Sequence, residues 1–393
     1  MSEKDPVVIV GMARTPMGGL LGDLAGFSAN ELGAMAIKAA VAEAGLKPGE
    51  ANEVIMGNCL PAGQGQAPAR QAGMKSGEDK GLEATTINKM CGSGMQAAVM
   101  GRNAILAGDA NIVIVGGMES MTNAPHLLNV RKGHKYGTMG AEDHMALDGL
   151  TDAYAKGPMG VFADKIAGEY QFTREQQDAY ALETLTRAQN ATKNGKFKRE
   201  ITPVTVKGKK GDTVIDTDQL PREAMPDKIP TLKPAFSKDG TVTAANASAI
   251  SDGAAALVLM RESEAKKRGL KPLARIVASS SHAHEPEYFT TAPVPAMKKA
   301  LAKAGWKIED VDLWEVNEAF AVVPMIAMKE LGISHDRVNV NGGACAMGHP
   351  IGASGARVLI TLIAAMEDRG VKKGMAALCI GGGEGIAMAV ERV

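Results

Sequence analysis

Short apolar runs alternate with longer stretches of helical apolar–polar period along most of the chain. Val7–Val10 reads as a buried strand and Ala29–Ala44 as a helix that stops at Gly45. Val54–Met56 reads as a strand, Met95–Leu106 as a helix and Ile112–Val115 as a strand, with Gly116-Gly117 as a turn. Such alternation predicts an α/β fold with largely parallel central strands.

The order then recurs. Ala40–Met56 (AVAEAGLKPGEANEVIM) parallels Ala300–Val316 (ALAKAGWKIEDVDLWEV): an Ala-rich helix, Ala-Gly, a polar loop, a strand. Cys91-Gly-Ser-Gly94 parallels Gly352-Ala-Ser-Gly355. Each opens a helix leading to an apolar strand that ends in glycines, Ile112–Gly117 and Ala376–Gly383. Several matches in one order, at an offset near 260 residues, predict a duplication: two related units about a pseudo-two-fold. The stretch between them differs. It holds a Gly-rich polar segment (131–149), a helix over 173–193 and a Pro/Lys/Asp-rich run over 202–240. It is too long for a structureless loop, so a small lobe over the active site is expected. Ala254–Met260 reads as a strand returning to the first unit. The expected division is 1–120 with 246–270, a loop domain at 121–245, and 271–393.

Composition adjusts this picture modestly. A chain of 393 residues exceeds the size of one core. Aromatics are only 4%, against 46 Gly and 23 Met, so Ala, Val, Ile, Leu and Met must fill the cores. With 44 basic and 44 acidic residues, nothing draws the chain to nucleic acid or an acidic membrane. Met1–Pro6 is polar and no run of about 18 apolar residues occurs, so neither a signal peptide nor a membrane span is expected, and cytoplasm is the default. The cysteines at 59, 91, 345 and 379 show no C-x-x-C spacing and the histidines no H-E-x-x-H, so no disulfide framework and no metal site are expected. His282 and His284 read as surface loop residues.

Four positions carry candidate chemistry. Cys91 precedes a helix, whose free N–H groups and dipole favour a thiolate; the same cysteine also reads as a small buried residue before a glycine-rich turn. His349, before Pro350 in a glycine-crowded segment, reads either as a proton acceptor or as a cap on a loop carbonyl. Cys379 ends a strand before Gly381-Gly-Gly383, whose N–H groups could face an oxyanion; a core cysteine is the bland alternative. Asn317 follows a strand, as a helix cap or as a donor aimed into a site. The glycines near 381–385 lack the order of a phosphate-binding loop.

Together NKMCGSG (88–94), VNEAF (316–320), NVNGGACAMGHPIGASG (339–355) and LCIGGGEG (378–385) resemble the four signature blocks of the thiolase family. Further likeness runs nearly end to end, including GGMESM (116–121), KGKKGD (207–212) and GTVTAANAS (240–248). The resemblance implies a duplicated αβαβα layered core with an inserted loop domain. It implies reversible Claisen condensation of two acetyl-CoA to acetoacetyl-CoA and CoA, and thiolysis in reverse. Cys91 resembles the acylated nucleophile, His349 the base that activates it, and Cys379 the acid/base at the α-carbon. Asn317 resembles the residue holding a water that, with His349, forms one oxyanion hole; the N–H groups of Cys91 and Gly381 resemble the other. Arg222 resembles a contact for the nucleotide end of CoA. Met159, Phe236, Ser248, Phe289 and Phe320 resemble pantetheine and acyl-pocket contacts. CoA is then substrate and product rather than cofactor, and acyl-CoA and CoA are the small-molecule partners. The family implies a homo-oligomer, dimer or tetramer, with 127–150 resembling a tetramerisation loop.

The match departs in places. Pro158 stands where short-chain members carry His, Ala249 where Gly is common, and Phe289 where Met often lines the acyl pocket. Glu384 is an unusual acid after the glycines, and Cys345 reads as a small buried residue. These bear on chain length and leave room for a degradative 3-ketoacyl-CoA thiolase. A ketoacyl synthase would want His or Asn where Cys379 stands. A non-catalytic acyl-CoA-binding relative would lack one of the blocks.

Overall fold

Strands covered on both faces need no alternation of apolar and polar residues, and the central strands here are continuous apolar runs for that reason. The computed structural model describes residues 5–393, so most of the polar opening at Met1–Pro6 lies outside the described residues. In the first half, β1 (Val7–Arg14), α1 (Ala29–Glu43), β2 (Glu53–Gly57), α2 (Pro68–Ser76), β3 (Glu83–Ile87), α3 (Ser93–Ala107) and β4 (Ile112–Ser120) follow in order. The intervening segment carries α4 (Met159–Glu169) and α5 (Arg174–Lys193). The chain then returns through β5 (Ser251–Arg261), β6 (Ala274–Ala283), α6 (Pro293–Ala304), β7 (Leu313–Val316), α7 (Val322–Leu331), α8 (Ile351–Arg369), β8 (Lys373–Ile380) and β9 (Glu384–Arg392).

The strand order is β7-β8-β9-β6-β1-β5-β4-β2-β3. Each half repeats one pattern. β5 lies antiparallel between β1 and β4, and β9 antiparallel between β6 and β8. Parallel β2 and β7 then extend the two sides. The place of β3 beside β2 is taken, beside β7, by the isolated parallel bridge Trp314–Val338. Within the sheet, among the described residues, the halves join where β1 pairs β6, at Val8–Arg275 and Ile9–Ala274. The sheet is therefore mixed rather than largely parallel. The returning strands β5 and β9 each insert antiparallel, which the alternation of strands and helices could not reveal.

Gly116-Gly117 is not a turn. β4 runs through both, with every residue to Ser120 buried. A Cβ on Gly116 would overlap the Ala255 carbonyl, and one on Gly117 the Gly352 carbonyl. These glycines admit neighbouring backbone rather than reverse the chain. Nor do they correspond to the glycines after β8. Gly116 faces Met56 as Ala377 faces Val316, so Gly381–Gly383 come later in the repeat and do turn, with positive φ at Gly382 and Gly383.

Three cores follow. One joins α1 and α2 to the first half's outer face. A second joins α6 and α7 to the second half's outer face. Between them, α3 and α8 pack on each other and on strands of both halves. α8 is buried from Ile351 to Met366. The layers are helix, sheet, helix, sheet, helix.

Among the described residues, 121–245 adds no strand to the central sheet. Buried polar contacts fasten it. Arg14, wholly buried, meets Glu200 and Asp218, each at 2.7 Å. Glu318 accepts from Tyr180 at 2.7 Å and Thr184 at 2.9 Å. Removing one partner of such a buried pair costs about 3–5 kcal/mol, because the other charge is stranded.

Candidate active site

The turn before α3 is held by its own polar groups. Asn88 Oδ1 accepts the Met90 N–H at 2.9 Å. Ser93 Oγ accepts the Lys89 N–H at 2.8 Å and donates to the Met90 carbonyl at 2.7 Å. Met90 is thereby kept left-handed, at φ 45°, directly before Cys91. A side-chain-bearing residue in that region stores strain, which recurs where a neighbouring side chain must be aimed. Cys91 stays partly accessible, and its thiol meets the Gly381 N–H. Cys379, wholly buried at the end of β8, is close enough for the two sulfurs to interact electrostatically. A Cβ on Gly92 would come within 2.5 Å of Ile380, so the two turns meet only because Gly92 is bare. Lys89 pairs with Glu384 across the same seam, which gives the unusual Glu384 a structural role.

His349 follows Gly348, which has φ +99°. Its N–H bonds to the Ala249 carbonyl at 3.1 Å. Its Nδ1 lies 2.6 Å from Ser354 Oγ. Ser354 Oγ also lies 3.0 Å from the Pro350 carbonyl; with its proton directed there, the hydroxyl accepts and Nδ1 carries the imidazole proton. Nε2 is thus a bare lone pair, and it is buried with no partner. Asn317 accepts from Arg357 at 3.2 Å through Oδ1, while its Nδ2 is likewise buried with no partner. Each is an orphan buried polar atom, costly unless something binds to it. Ile351, two residues past His349, packs with Cys59, Leu60 and Met121 against Cys91.

Burial raises the Cys91 thiol to about 11, against the pull of the Gly381 and Cys91 N–H groups. It lowers His349 to about 3, assisted by the Arg357 charge. Cys379 is pushed well up by burial and then by Cys91. At neutral pH the thiol and the imidazole are both uncharged. The helix terminus was expected to favour a resting thiolate; desolvation outweighs it.

Beside this centre, Phe320 stacks edge-on with Phe236 at 6.0 Å and Phe289 at 6.1 Å. Met159 packs into the same cluster as Phe289, Phe320 and Cys379, and its Cε would lie 3.8 Å from a Cβ on Gly381. Pro158 caps the helix that Met159 begins. The Ser248 N–H bonds to the Ala319 carbonyl at 2.9 Å, next to Phe320. An apolar cavity of about 350 Å³ is walled by Leu220, Met225, Leu232, Cys345 and Ala249, the residue whose carbonyl accepts the His349 N–H. Arg222 sits on the short helix Gln219–Glu223, half-exposed and paired with Asp23 at 2.6 Å and Glu223 at 3.3 Å. Its polar partners are these carboxylates, and the structure does not join it to the cysteines.

Sequence reading passed over three residues. Glu119 is fully buried and gathers Asn58 Nδ2 and the N–H groups of Cys59, Leu60 and Gly352 at 2.7–3.1 Å. It ties the Cys59 loop to the start of α8, and burial raises its carboxyl to about 7. Ser354 fixes the histidine. Arg357 bonds Glu315 at 2.8 Å as well as Asn317. A signal for Arg357 was present: it is the sole charge between Ile351 and Met366.

A duplicated mixed α/β core in which Cys91 of the first half meets Cys379 and Gly381 of the second agrees with the thiolase resemblance, and this chain belongs to that family. The thiolase N-terminal domain model matches residues 7–263 and the thiolase C-terminal domain model 270–392. The chain is 51% identical over 388 residues to acetyl-CoA acetyltransferase of Rhizobium meliloti (strain 1021), covering 98% of this chain and 99% of the relative. It is 47% identical over 391 residues to cytosolic acetyl-CoA acetyltransferase of Mus musculus, covering 99% and 98%. The crystal structure of Acat5 thiolase from Ascaris suum in complex with coenzyme A matches with a TM-score of 0.94 at 42% identity, covering 99% of this chain and all of that one.

Proposed function

We propose that this thiolase is an acetyl-CoA C-acetyltransferase, condensing two acetyl-CoA to acetoacetyl-CoA with release of CoA, and cleaving acetoacetyl-CoA in reverse. The observation that carries the reading is the pair of unpartnered buried atoms, His349 Nε2 and Asn317 Nδ2. One is a lone pair that can take a proton and the other a donor that can face an oxyanion.

The neutral thiol of Cys91 attacks the thioester carbonyl as its proton passes to Nε2. The N–H groups of Cys91 and Gly381 face the oxygen of this step. CoA leaves with the proton of Cys379, so Cys91 carries the acetyl group, Nε2 keeps the Cys91 proton and Cys379 is left a thiolate. Cys379 then removes a proton from the methyl of a second acetyl-CoA. The enolate oxygen faces the protonated Nε2 and, through the water it holds, Asn317 Nδ2; the carbanion attacks the acetyl-enzyme to give acetoacetyl-CoA, and the Cys91 sulfur leaves and takes back the proton from Nε2. Each such fixed donor is worth about 3–4 kcal/mol to the oxyanion it meets. Phe236, Phe289, Phe320, Met159 and Ser248 line the pantetheine and acyl path, and Arg222 meets the nucleotide end of CoA from the loop domain. That domain spans 121–245, between units 1–120 with 246–270 and 271–393. CoA is substrate and product, and no further cofactor takes part. β3 has a free edge of half-exposed residues, Ala84–Ile87, suited to pairing with a second copy in a dimer or tetramer. The proposed location is the cytoplasm.

Incubation with radiolabelled acetyl-CoA tests the nucleophile. Label is expected on Cys91 and absent from Cys91→Ala; label persisting elsewhere would refute the assignment. Thiolysis rates for acetoacetyl-CoA against longer 3-ketoacyl-CoAs test the substrate. Pro158 supports the degradative reading, and a strong preference for eight carbons or more would establish it over the acetyltransferase.

A further inference from the structure

The guanidinium of Arg357 occupies an unusual position for an arginine. It lies in the middle of the molecule, 2% exposed, on a helix buried from Ile351 to Met366. One nitrogen bonds Glu315 Oε1 at 2.8 Å and another bonds Asn317 Oδ1 at 3.2 Å. Burying an arginine is costly, and replacing a buried ion pair with apolar side chains is often neutral or stabilising. Stability alone therefore accounts poorly for its presence.

Its contact with Asn317 has a definite consequence. A primary amide can be turned end for end at little steric cost, presenting either an acceptor or a donor to the site. Arginine has no acceptor, so only the amide oxygen can face it. With Oδ1 held by Arg357, Nδ2 must point the other way, and that nitrogen is the buried donor with no partner. Glu315 clamps the guanidinium from its other edge, and the Asn317 N–H is fixed on the Ala377 carbonyl at 2.9 Å. Both the backbone and the amide end of Asn317 are thus set.

We propose that Arg357 is a positioning residue for the reaction, acting through Asn317 by forcing its amide to offer a donor to the developing oxyanion. The proposal rests on the acetyltransferase reading above. Arg357 touches no substrate. Its charge, behind the amide oxygen, also polarises Nδ2–H toward the site. The same charge helps to keep the nearby His349 neutral at rest.

A double-mutant cycle separates this from a structural role. Arg357→Lys keeps the charge and the partner for Glu315 but cannot hold both contacts in one plane. It is expected to lower kcat by about 30-fold with KM changed less than about threefold. In the Asn317→Ala background the same change should cost less than about threefold, because the group through which it acts is gone. Full additivity of the two losses, or a kcat near that of the unmodified enzyme, would overturn the proposal. If Arg357→Lys does not fold, Glu315→Gln/Arg357→Met removes the ion pair without stranding a charge, and the same non-additivity is expected. Asn317→Asp supplies a check with Arg357 intact: it keeps shape but offers only acceptors, so it should lose at least as much kcat as Asn317→Ala. Retention of half the original kcat by Asn317→Asp would sink the donor role. Failure of the unmodified enzyme to form acetyl-Cys91 would instead sink the acetyltransferase reading, so the two failures are distinct.

Discussion

The starts of α3 and α8 are the same device put to two uses. Both carry a serine in the first turn of the helix: Ser93 opens α3 and Ser354 is the fourth residue of α8. Ser93 donates to the Met90 carbonyl and accepts a backbone N–H, so its hydroxyl is spent on the shape of the turn. Ser354 donates to the Pro350 carbonyl and accepts an imidazole, so its hydroxyl is spent on the tautomer of His349. One start presents a partly accessible thiol and the other a buried base. The duplication provided two equal frames, and the difference in chemistry comes from what a single hydroxyl holds.

The largest expected effect separates the two cysteines that these frames bring together. Cys379→Ala should slow deuterium exchange into the methyl of acetyl-CoA by about 10³-fold while Cys91 is still labelled. Equal loss of both would make the two sulfurs one functional unit. A smaller effect tests the serines. Ser354→Ala should lower the acylation rate by about 10- to 100-fold, with the melting temperature little changed, since the imidazole loses its fixed proton. Ser93→Ala should instead cost about 1 kcal/mol of stability and change acylation less than threefold. If the two substitutions gave the same profile, the division of labour would fail. The smallest effect is an absence of change. His349 sits near 3, so its imidazole should remain neutral and Nδ1-protonated from pH 8 down to 5 by ¹⁵N NMR. An imidazolium at about pH 5.5 would mean that burial does not dominate.

Much of this was legible in the sequence. The repeated helix–loop–strand cassettes foretold the duplication, and the helix read over 173–193 is α5, Arg174–Lys193. Cys91, Cys379 and Gly381 do meet. The failures have a common cause, because sequence period reports what covers a strand and not which strands flank it. The antiparallel insertion of β5 and β9 was therefore invisible. Gly116-Gly117 looked like a turn because a glycine that admits a neighbour's backbone and a glycine that reverses a chain are the same letter. Glu119, Ser354 and Arg357 make their contacts with partners distant in sequence or through hydroxyl geometry, and only Arg357 left a local trace, as the sole charge between Ile351 and Met366. Burial pushes the Cys91 thiol up against the pull of the N–H groups, and of these two influences only the helix start can be read from residue order, desolvation only from packing.

The crossing of α3 and α8 is bare main chain against main chain. A Cβ on Gly94 would lie 2.6 Å from the Ala356 nitrogen, and one on Gly355 2.3 Å from the Met95 nitrogen. Alignment of the two frames is therefore written in peptide geometry, the least adjustable material a protein has, and owes little to side-chain fit. The aromatic wall of Phe236, Phe289 and Phe320 stands outside that crossing. On the proposed reading, in which these rings line the acyl path, substrate range can be redrawn there without loosening that alignment.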